Sequence, residues 1–359
     1  MNISENRNSF LDFSKAIAII LVVVGHCIQY GSGTEYLASG SFFLNPVFKF
    51  IYSFHMPLFM LISGYLFAYS ANRRSLQENI QKKFSTLIIP ILVWSTILFL
   101  ASIVKDLHHH RDIVSLLYLI NKFILCILNQ LWFLWAIFWS SLVILISRKY
   151  LKDSWIAYLL FIISSLFIPD KYNSHLYVFV FPYYLLGYKY NTCHSWTSLH
   201  SIWKNRIFIL IIITIFIGLL LVYRYDSYVY TSGYYILNGN GLYQLYTNIY
   251  RFAIGLVGSC SVLIFIKYVT NMIKDKSLIR PILYIGQQTK GIYILQGYFN
   301  YYILVRLTTN FQGVNYLILI AESIAEILLC LCLLYFIKKN NIANLLLLGG
   351  KWVSRDRYI

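Results

Sequence analysis

The sequence predicts an all-α integral membrane protein of about ten transmembrane helices, with both termini on the cytoplasmic side. Three observations lead to this fold class. The 359-residue chain is 59% hydrophobic and only 12% charged, whereas soluble domains carry about 25% charged residues. Long apolar segments recur along the chain, and basic residues concentrate in alternate segments between them. Because no linker or change of composition separates a soluble part, we expect residues 1–359 to form a single transmembrane domain.

A helix that crosses the hydrocarbon core of a bilayer needs about 20 mostly apolar residues. Candidate spans lie near residues 13–30, 46–69, 84–104, 131–147, 156–169, 175–190, 207–223, 249–269, 283–305 and 316–337. The fifth and sixth of these are short. The longest hydrophilic stretches, near 105–130 and 224–248, are expected to be loops.

The distribution of Lys and Arg gives the orientation, because short cytoplasmic loops carry an excess of positive charge. Most of the 30 basic residues follow the even-numbered spans. The net charge of +17 is therefore one-sided and suits attraction to anionic lipid headgroups. A sharper interpretation is that part of it gathers a polyanionic molecule such as a coenzyme A thioester. Nucleic acid is not an expected partner, since the basic residues are spread over short loops.

Ionisable side chains inside the first two apolar segments are the most unusual feature of the chain. Lys15 and His26 bound the run K-A-I-A-I-I-L-V-V-V-G-H, and His55 interrupts the next apolar run. Such groups are costly in hydrocarbon and indicate a functional site by default. A rise of 1.5 Å per residue puts His26 and His55 about 7 and 4 Å to the outer side of the midplane. Lys15 falls near the inner end of its span, so the pattern suits a ligand that enters from the cytoplasm.

An imidazole is the usual general base because its ordinary pKa is near 6.5. General-base assistance typically contributes about 10² to 10⁴ in rate. His26 and His55 are therefore candidate catalytic residues. The alternative is structural, in which both rings only bond to polar groups of neighbouring helices.

Four motifs resemble a known family. These are L-D-F-S-K-A-I-A-I-I-L-V-V-V-G-H (Leu11 to His26), Y-S-F-H-M-P-L-F-M-L-I-S-G-Y-L-F (Tyr52 to Phe67), I-I-P-I-L-V-W (Ile88 to Trp94) and L-W-F-L-W-A-I-F (Leu131 to Phe138). They resemble acyltransferase family 3, the bacterial integral membrane O-acyltransferases, and the branch related to fucose 4-O-acetylase in particular. The resemblance covers essentially the whole chain, because the family core also has ten spans.

The resemblance implies a multi-pass protein of the bacterial inner membrane. Its activity would be transfer of an acyl group, usually acetyl, from cytoplasmic acyl-CoA to a hydroxyl of a cell-surface glycan or lipid-linked sugar. Acetyl-CoA would be the donor substrate, with no permanently bound cofactor.

The resemblance also assigns residues. His26 matches the family's essential histidine, and Lys15 stands where many members carry Arg, which would grip phosphate in a bidentate manner. Two departures bear on function. The basic pair that usually precedes I-I-P is reduced to Lys83 with Thr86, and the histidine common in the ninth span is Gln296. These changes put in doubt the loop's part in cofactor binding and any catalytic part of span nine.

The expected mechanism is direct acyl transfer in a ternary complex, since no serine or cysteine stands out as a covalent nucleophile. His26 would take the proton of the acceptor hydroxyl, and His55 would orient His26 or the acceptor. Trp132 or Ser63 would steady the developing oxyanion. The cytoplasmic residues expected to hold the acyl-CoA are Lys15, Arg73, Arg74, Lys82 and Lys83.

Two carboxylates lie on one face of the last span, because Glu322 and Glu326 are four residues apart. They are expected to face protein or water. One interpretation pairs them structurally with Arg251 or Arg306. The other gives them a part in holding the acceptor or tuning His26.

Tyrosines are dense between Tyr223 and Tyr250, where the sequence includes Y-R-Y-D-S-Y-V-Y-T-S-G-Y-Y. Tyrosines at a bilayer edge ordinarily form an interfacial belt. Rings with polar tips also suit recognition that mixes apolar contact and hydrogen bonding. Tyr234 and Tyr235 are therefore candidate residues for a sugar-binding platform.

Three consecutive histidines, His108 to His110, raise the question of a metal site. Consecutive residues cannot all point at one ion without a distorted loop, and no ligand spacing recurs elsewhere, so no metal is expected. The rival function is a transporter or flippase for a glycan or glycolipid, because ten spans with intramembrane His and Glu also suit alternating access. The chain lacks the inverted repeat that many transporters show.

Overall fold

The computed structural model describes residues 8–108, 115–193, 205–237, 240–273, 275 and 277–350, and within these ranges the chain is helical and contains no strand. The α-helices are Ser9–Tyr30, Thr34–Ala38, Pro46–Tyr52, His55–Arg73, Leu76–Lys83, Ile89–His108, Leu116–Asn129, Trp132–Tyr150, Trp155–Ser165, Ser174–Thr192, Arg206–Val222, Val229–Ser232, Gly241–Met272, Arg280–Gln287, Thr289–Phe299, Val305–Leu307, Tyr316–Lys339 and Asn341–Leu348. Two π-helical segments, Phe84–Ile88 and Asn300–Leu304, continue the helices that precede them.

Six helical segments of the described chain are long and apolar enough to cross a membrane. They are Ser9–Tyr30, Pro46–Arg73, Leu76–His108, Trp132–Tyr150, Gly241–Met272 and Tyr316–Lys339. These coincide with six of the ten expected spans, so the chain is a helical multi-pass membrane protein. The remaining four expected spans fall on shorter or more polar helices. The count of ten and the placement of the termini stay predictions.

The expectation of a loop near 105–130 was wrong over Leu116–Asn129, which is a helix of 14 residues. Its first turn is capped by Ser115, whose side chain accepts from the backbone N–H of Tyr118. The helix packs against Ile89–His108 and is too short for the 20-residue criterion that defines a span. Helix Gly241–Met272 likewise begins within the stretch expected to be a loop, with Asn240 as its cap.

His109 and His110 lie outside the described residues. Among the described residues, no group of three or more His, Cys, Asp or Glu side chains is placed to hold a metal ion.

The first helix organises the site because it packs against many others, among them His55–Arg73, Gly241–Met272, Arg280–Gln287, Thr289–Phe299 and Tyr316–Lys339. Asn8 caps its start through a bond from the Leu11 N–H. An ion pair joins neighbouring turns of this helix, with 2.6 Å from Lys15 Nζ to Asp12 Oδ1.

Two glycines allow a close crossing of two helices. A Cβ atom on Gly64 would lie 1.9 Å from the carbonyl oxygen of Tyr184, and one on Gly187 would lie 2.0 Å from the carbonyl oxygen of Leu61. The helices His55–Arg73 and Ser174–Thr192 therefore meet backbone to backbone. Small residues commonly serve this purpose in membrane bundles.

Replacing Gly64 by Ala should destabilise the protein, because the methyl group meets backbone that cannot rotate away. Overpacking of this kind costs about 1–3 kcal/mol or more, so the Tm in detergent micelles should fall. The matched control is Gly218→Ala, since a Cβ there meets nothing within 4 Å and helix propensity favours Ala. Equal Tm values for the two variants would contradict the close crossing.

Candidate active site

His26 is tied to the ninth expected span by a side-chain hydrogen bond. Its Nδ1 lies 2.8 Å from Oε1 of Gln296, and Gln296 is buried. An amide oxygen only accepts, so the neutral imidazole carries its proton on Nδ1 and keeps the lone pair on Nε2. The bond therefore presents His26 in the tautomer that a general base needs.

The hydrogen bonds continue beyond Gln296. The Asn300 amide nitrogen donates to Gln296 Oε1 at 3.0 Å and to Glu326 Oε1 at 2.8 Å. Cys27 Sγ donates to Glu326 Oε2 at 3.2 Å. Asn300 and Glu326 are both fully buried. We refer to His26, Gln296, Asn300, Glu326 and Cys27 as the His26 network.

Backbone irregularity places Asn300 in the His26 network, because this residue begins the π-helical segment Asn300–Leu304. Single π-helical turns inside α-helices are frequent at functional sites. The wider turn lets the Asn300 side chain reach the last long helix while its own helix continues.

The sequence suggested Arg251 as a partner of the two glutamates, and for Glu326 this expectation was wrong. Glu326 bonds to Asn300 and Cys27, whereas the guanidinium of Arg251 bonds to oxygens of the outer loop. Arg306 is exposed. Glu322 lies beside Gly31, where an added Cβ would meet its carboxylate at 2.5 Å.

His55 begins its helix directly after a break at Ser53 and Phe54. Its Nδ1 lies 2.9 Å from the carbonyl oxygen of Ile51. That oxygen also only accepts, so the neutral ring again keeps its lone pair on Nε2. Both histidines are thus held in the same tautomer.

A tyrosine lies between the two histidines. The rings of Tyr52 and His55 are 4.5 Å apart, and Tyr52 also lies against the first helix, where a Cβ on Gly25 would be 2.8 Å from its ring. The structure therefore brings His26 and His55 to the same region of the bundle.

Aromatic rings lie around this region, on the side that the charge distribution predicts to face outward. Ring centroids are 6.0 Å apart for His26 and Tyr30, 6.0 Å for Tyr52 and Tyr230, and 6.5 Å for Trp132 and Tyr230. Tyr230 nevertheless exposes 42% of its surface. We call the region around these five side chains the chamber.

A second cavity lies on the predicted cytoplasmic side. Its volume is about 280 Å³, and its lining residues are Ser63, Leu66, Phe67, Ser70, Asn79, Lys82, Lys83, Thr86 and Ile137. Lys83 Nζ lies 4.7 Å from the centre of the Phe67 ring. The π-helical segment Phe84–Ile88 continues directly from the two lysines. We call this the basic cavity.

The other basic residues expected to hold acyl-CoA differ in position. Arg74 donates to Ser70, which lines the basic cavity, at 2.8 Å. Arg73 is exposed at the end of its helix. Lys15 is committed to Asp12. Sequence reasoning missed Lys290, whose Nζ donates to the carbonyl oxygen of Thr86 at 3.2 Å.

Tyr234 and Tyr235, the candidate residues for a sugar platform, make their described contacts with groups other than the two histidines. The backbone N–H groups of Tyr234 and Tyr235 donate to Asp170 at 2.9 and 3.3 Å. The Tyr234 ring is buried against Leu176 and Val229. Tyr230 of the same loop borders the chamber instead. The Trp132 ring lies 6.5 Å from the Tyr230 ring, whereas Ser63 lines the basic cavity.

These features define a helical multi-pass membrane protein with ionisable side chains buried in its helical bundle. A family model described as "Acyltransferase domain" matches residues 8–348. The chain therefore belongs to this family, acyltransferase family 3, as its motifs indicated.

Two curated relatives are both named nodulation protein NolL. The protein from Mesorhizobium japonicum is 30% identical over 215 residues, which is 59% of this chain and 55% of the relative. The protein from Sinorhizobium fredii is 33% identical over 186 residues, which is 52% of this chain and 49% of the relative. The chain thus spans about half the length of these relatives. No solved structure gives a significant match.

Breaking the His26 network at Asn300 should lower the Tm, because Asn300→Leu leaves buried oxygens of Gln296 and Glu326 without this donor. An unsatisfied buried group costs about 1–3 kcal/mol, whereas replacing both partners by apolar groups can be nearly neutral. The double variant Asn300→Leu, Glu326→Leu should therefore recover part of the lost Tm. If the double variant loses as much Tm as Asn300→Leu and Glu326→Leu lose together, the two side chains do not bond directly.

Proposed function

We propose that this protein is a membrane O-acyltransferase of the bacterial inner membrane. It moves an acyl group, with acetyl as the expected case, from cytoplasmic acyl-CoA to a hydroxyl of a glycan or lipid-linked sugar. The observation that carries the proposal is the hydrogen bond from His26 Nδ1 to Gln296, at the edge of the chamber. Membership of an acyltransferase family and the NolL relatives support the reaction class.

His26 acts as general base in this proposal. Its Nε2 takes the proton of the acceptor hydroxyl while the oxygen attacks the thioester carbonyl, and the carbon–sulfur bond then breaks. The imidazolium returns the proton to the departing thiolate, so the products are the O-acyl ester and free CoA thiol. Gln296 holds the ring orientation and accepts from Nδ1–H throughout. No covalent acyl-enzyme is needed.

His55 holds the acceptor in this proposal. Its Nδ1 is bonded to Ile51, so Nε2 is available to accept from a second hydroxyl of the acceptor. Trp132 borders the chamber, and its indole N–H would donate to the oxyanion that develops on the thioester carbonyl. Donors aimed at such an oxygen are typically worth about 10² to 10³ in rate.

The basic cavity is the proposed site for the CoA phosphates. Lys82 and Lys83 line it together with hydroxyl and amide groups, and phosphates are strong acceptors of charge-assisted hydrogen bonds. Ser63, which lines this cavity, lies about 12 Å inward of His55 along the same helix. A pantetheine arm extended from the cavity would cover a distance of this order to bring the thioester to the histidines.

Lys15 has a smaller part in this arrangement than its sequence position implied. Its ammonium is paired with Asp12 at 2.6 Å, and the latter is buried. We propose that Lys15 adds positive charge at the entrance. Lys290 beside Thr86 belongs to the same basic region.

His26→Ala should lose acyl transfer by about 10² or more, the scale of a missing general base. The measurement is transfer from radiolabelled acetyl-CoA to surface glycan in membranes. His108→Ala, an exposed histidine at the end of its helix, is the matched control and should keep full activity. Gln296→Leu should lose less than His26→Ala, because the base remains but its orientation is no longer held. Retained transfer in His26→Ala would refute the proposed base.

Lys82→Gln and Lys83→Gln should each raise KM for acetyl-CoA about tenfold, as expected when one charge-assisted bond worth about 1.5–3 kcal/mol is removed. The same variants should leave KM for the acceptor unchanged. Lys105→Gln, at an exposed position of Ile89–His108, is the control for loss of one positive charge. Direct binding of acetyl-CoA to detergent-solubilised protein checks the same point, and a transporter of glycans would have no need of such binding.

A further inference from the structure

Arg251 is buried, with 2% of its surface exposed, and donates to oxygens of the outer loop and of its own helix. Its guanidinium bonds to the carbonyl oxygens of Ser227 at 2.8 Å, Gly233 at 2.6 Å, Asp226 at 2.7 Å and Tyr228 at 2.9 Å, to Asn248 Oδ1 at 2.9 Å, and to the hydroxyl of Ser232. A single side chain thus gathers four carbonyl groups of the segment 226–233.

The physical consequence is a fixed loop. Irregular backbone at membrane depth is tolerated where its carbonyl groups find donors inside the protein. Arg251 supplies those donors, and two further contacts hold the same segment. The Tyr228 hydroxyl donates to the carbonyl oxygen of Phe43 at 2.9 Å, and Asp170 accepts from the backbone of Tyr234 at 2.9 Å.

Tyr230 is a partly exposed side chain of this loop, whereas its neighbours Tyr228 and Val229 are buried. It lies within the short helix Val229–Ser232, with its ring 6.0 Å from Tyr52 and 6.5 Å from Trp132. Tyr230 and His55 also border one small cavity, together with Arg251. The loop therefore places the aromatic ring and the hydroxyl of Tyr230 at the same cavity as His55.

The chemistry of these walls favours a neutral sugar. Aromatic faces pack against the apolar C–H face of a pyranose ring, while tyrosine hydroxyls and imidazole nitrogens exchange hydrogen bonds with its hydroxyl groups. The positive charge of Arg251 is already committed to loop oxygens. It therefore does not select a charged ligand.

We infer that Tyr230 is a binding residue for the acceptor, forming with Trp132 a wall for a neutral pyranose ring, and that Arg251 is the positioning residue that holds Tyr230 there. The inference rests on the proposed function, since it names the sugar-binding side of the same chamber. It also moves the sugar platform from Tyr234 and Tyr235 to Tyr230.

The first experiment measures binding without catalysis. A panel of p-nitrophenyl pyranosides is titrated into purified full-length protein in detergent by calorimetry, with p-nitrophenol as the control for the aromatic group. At least one pyranoside should bind, and Tyr230→Leu should weaken it about tenfold. Tyr230→Phe should keep most of the affinity. Tyr246→Leu, an exposed tyrosine of the neighbouring helix, should change nothing. Absence of pyranoside binding, or binding unaffected by Tyr230→Leu, overturns the inference.

The second experiment separates positioning from folding. Arg251→Lys should raise KM for the acceptor several-fold while leaving KM for acetyl-CoA unchanged, because the donor cavity is made by other elements. If Arg251→Lys does not accumulate, Ser232→Ala is the second variant, because it removes one of the loop partners of Arg251. It should raise KM for the acceptor by a smaller factor and leave KM for acetyl-CoA unchanged. Equal changes in both KM values would overturn the positioning role. Loss of transfer in His26→Ala tests the proposed function separately. Sugar binding without any acyl transfer would refute the enzymatic function and leave the sugar site in place.

Discussion

A hydrogen bond between the first helix and the Thr289–Phe299 helix fixes the geometry on which the site depends. Gln296 Oε1 accepts from His26 and from Asn300 at once. An amide oxygen has two lone pairs and can do this, whereas a neutral imidazole offers one acceptor nitrogen. Glutamine at this position therefore suits the His26 network of this chain. In an apolar bundle each of these polar groups needs its partner, so the network also fixes how three helices face one another.

Irregular backbone borders every part of the site. The helix break at Ser53 and Phe54 precedes His55, the π-helical segment at Asn300 extends the His26 network, and a second one follows Lys82 and Lys83. The outer loop held by Arg251 completes the pattern. Within a bilayer, such departures from α-helix persist only where they are buried in protein or line a water-filled space. Their grouping around one chamber and one cavity is what marks this part of the bundle as the site.

The basic cavity and the chamber, on the two sides of His26 and His55, differ in chemistry. This difference suits two unlike ligands. The basic cavity offers ammonium groups, hydroxyls and amides, and the chamber offers aromatic faces, tyrosine hydroxyls and imidazoles. Under the proposed function the phosphates of the donor and the sugar of the acceptor are each recognised by the side that matches them. The close crossing at Gly64 and Gly187 holds the His55 helix, which reaches both spaces, against its neighbour.

The sequence by itself determined the helical membrane fold, the family, and the pairing of Lys15 with Asp12, because apolar runs, motifs and i, i+3 contacts are local in the chain. It also singled out His26, since an ionisable group in an apolar run is visible without a structure. Only the tertiary structure decided the partners of His26 and Glu326, and the choice of Tyr230 over Tyr234 to border the chamber. Those contacts join helices that are distant in sequence, and their selection depends on helix rotation and backbone breaks, which leave no periodic signal in the chain.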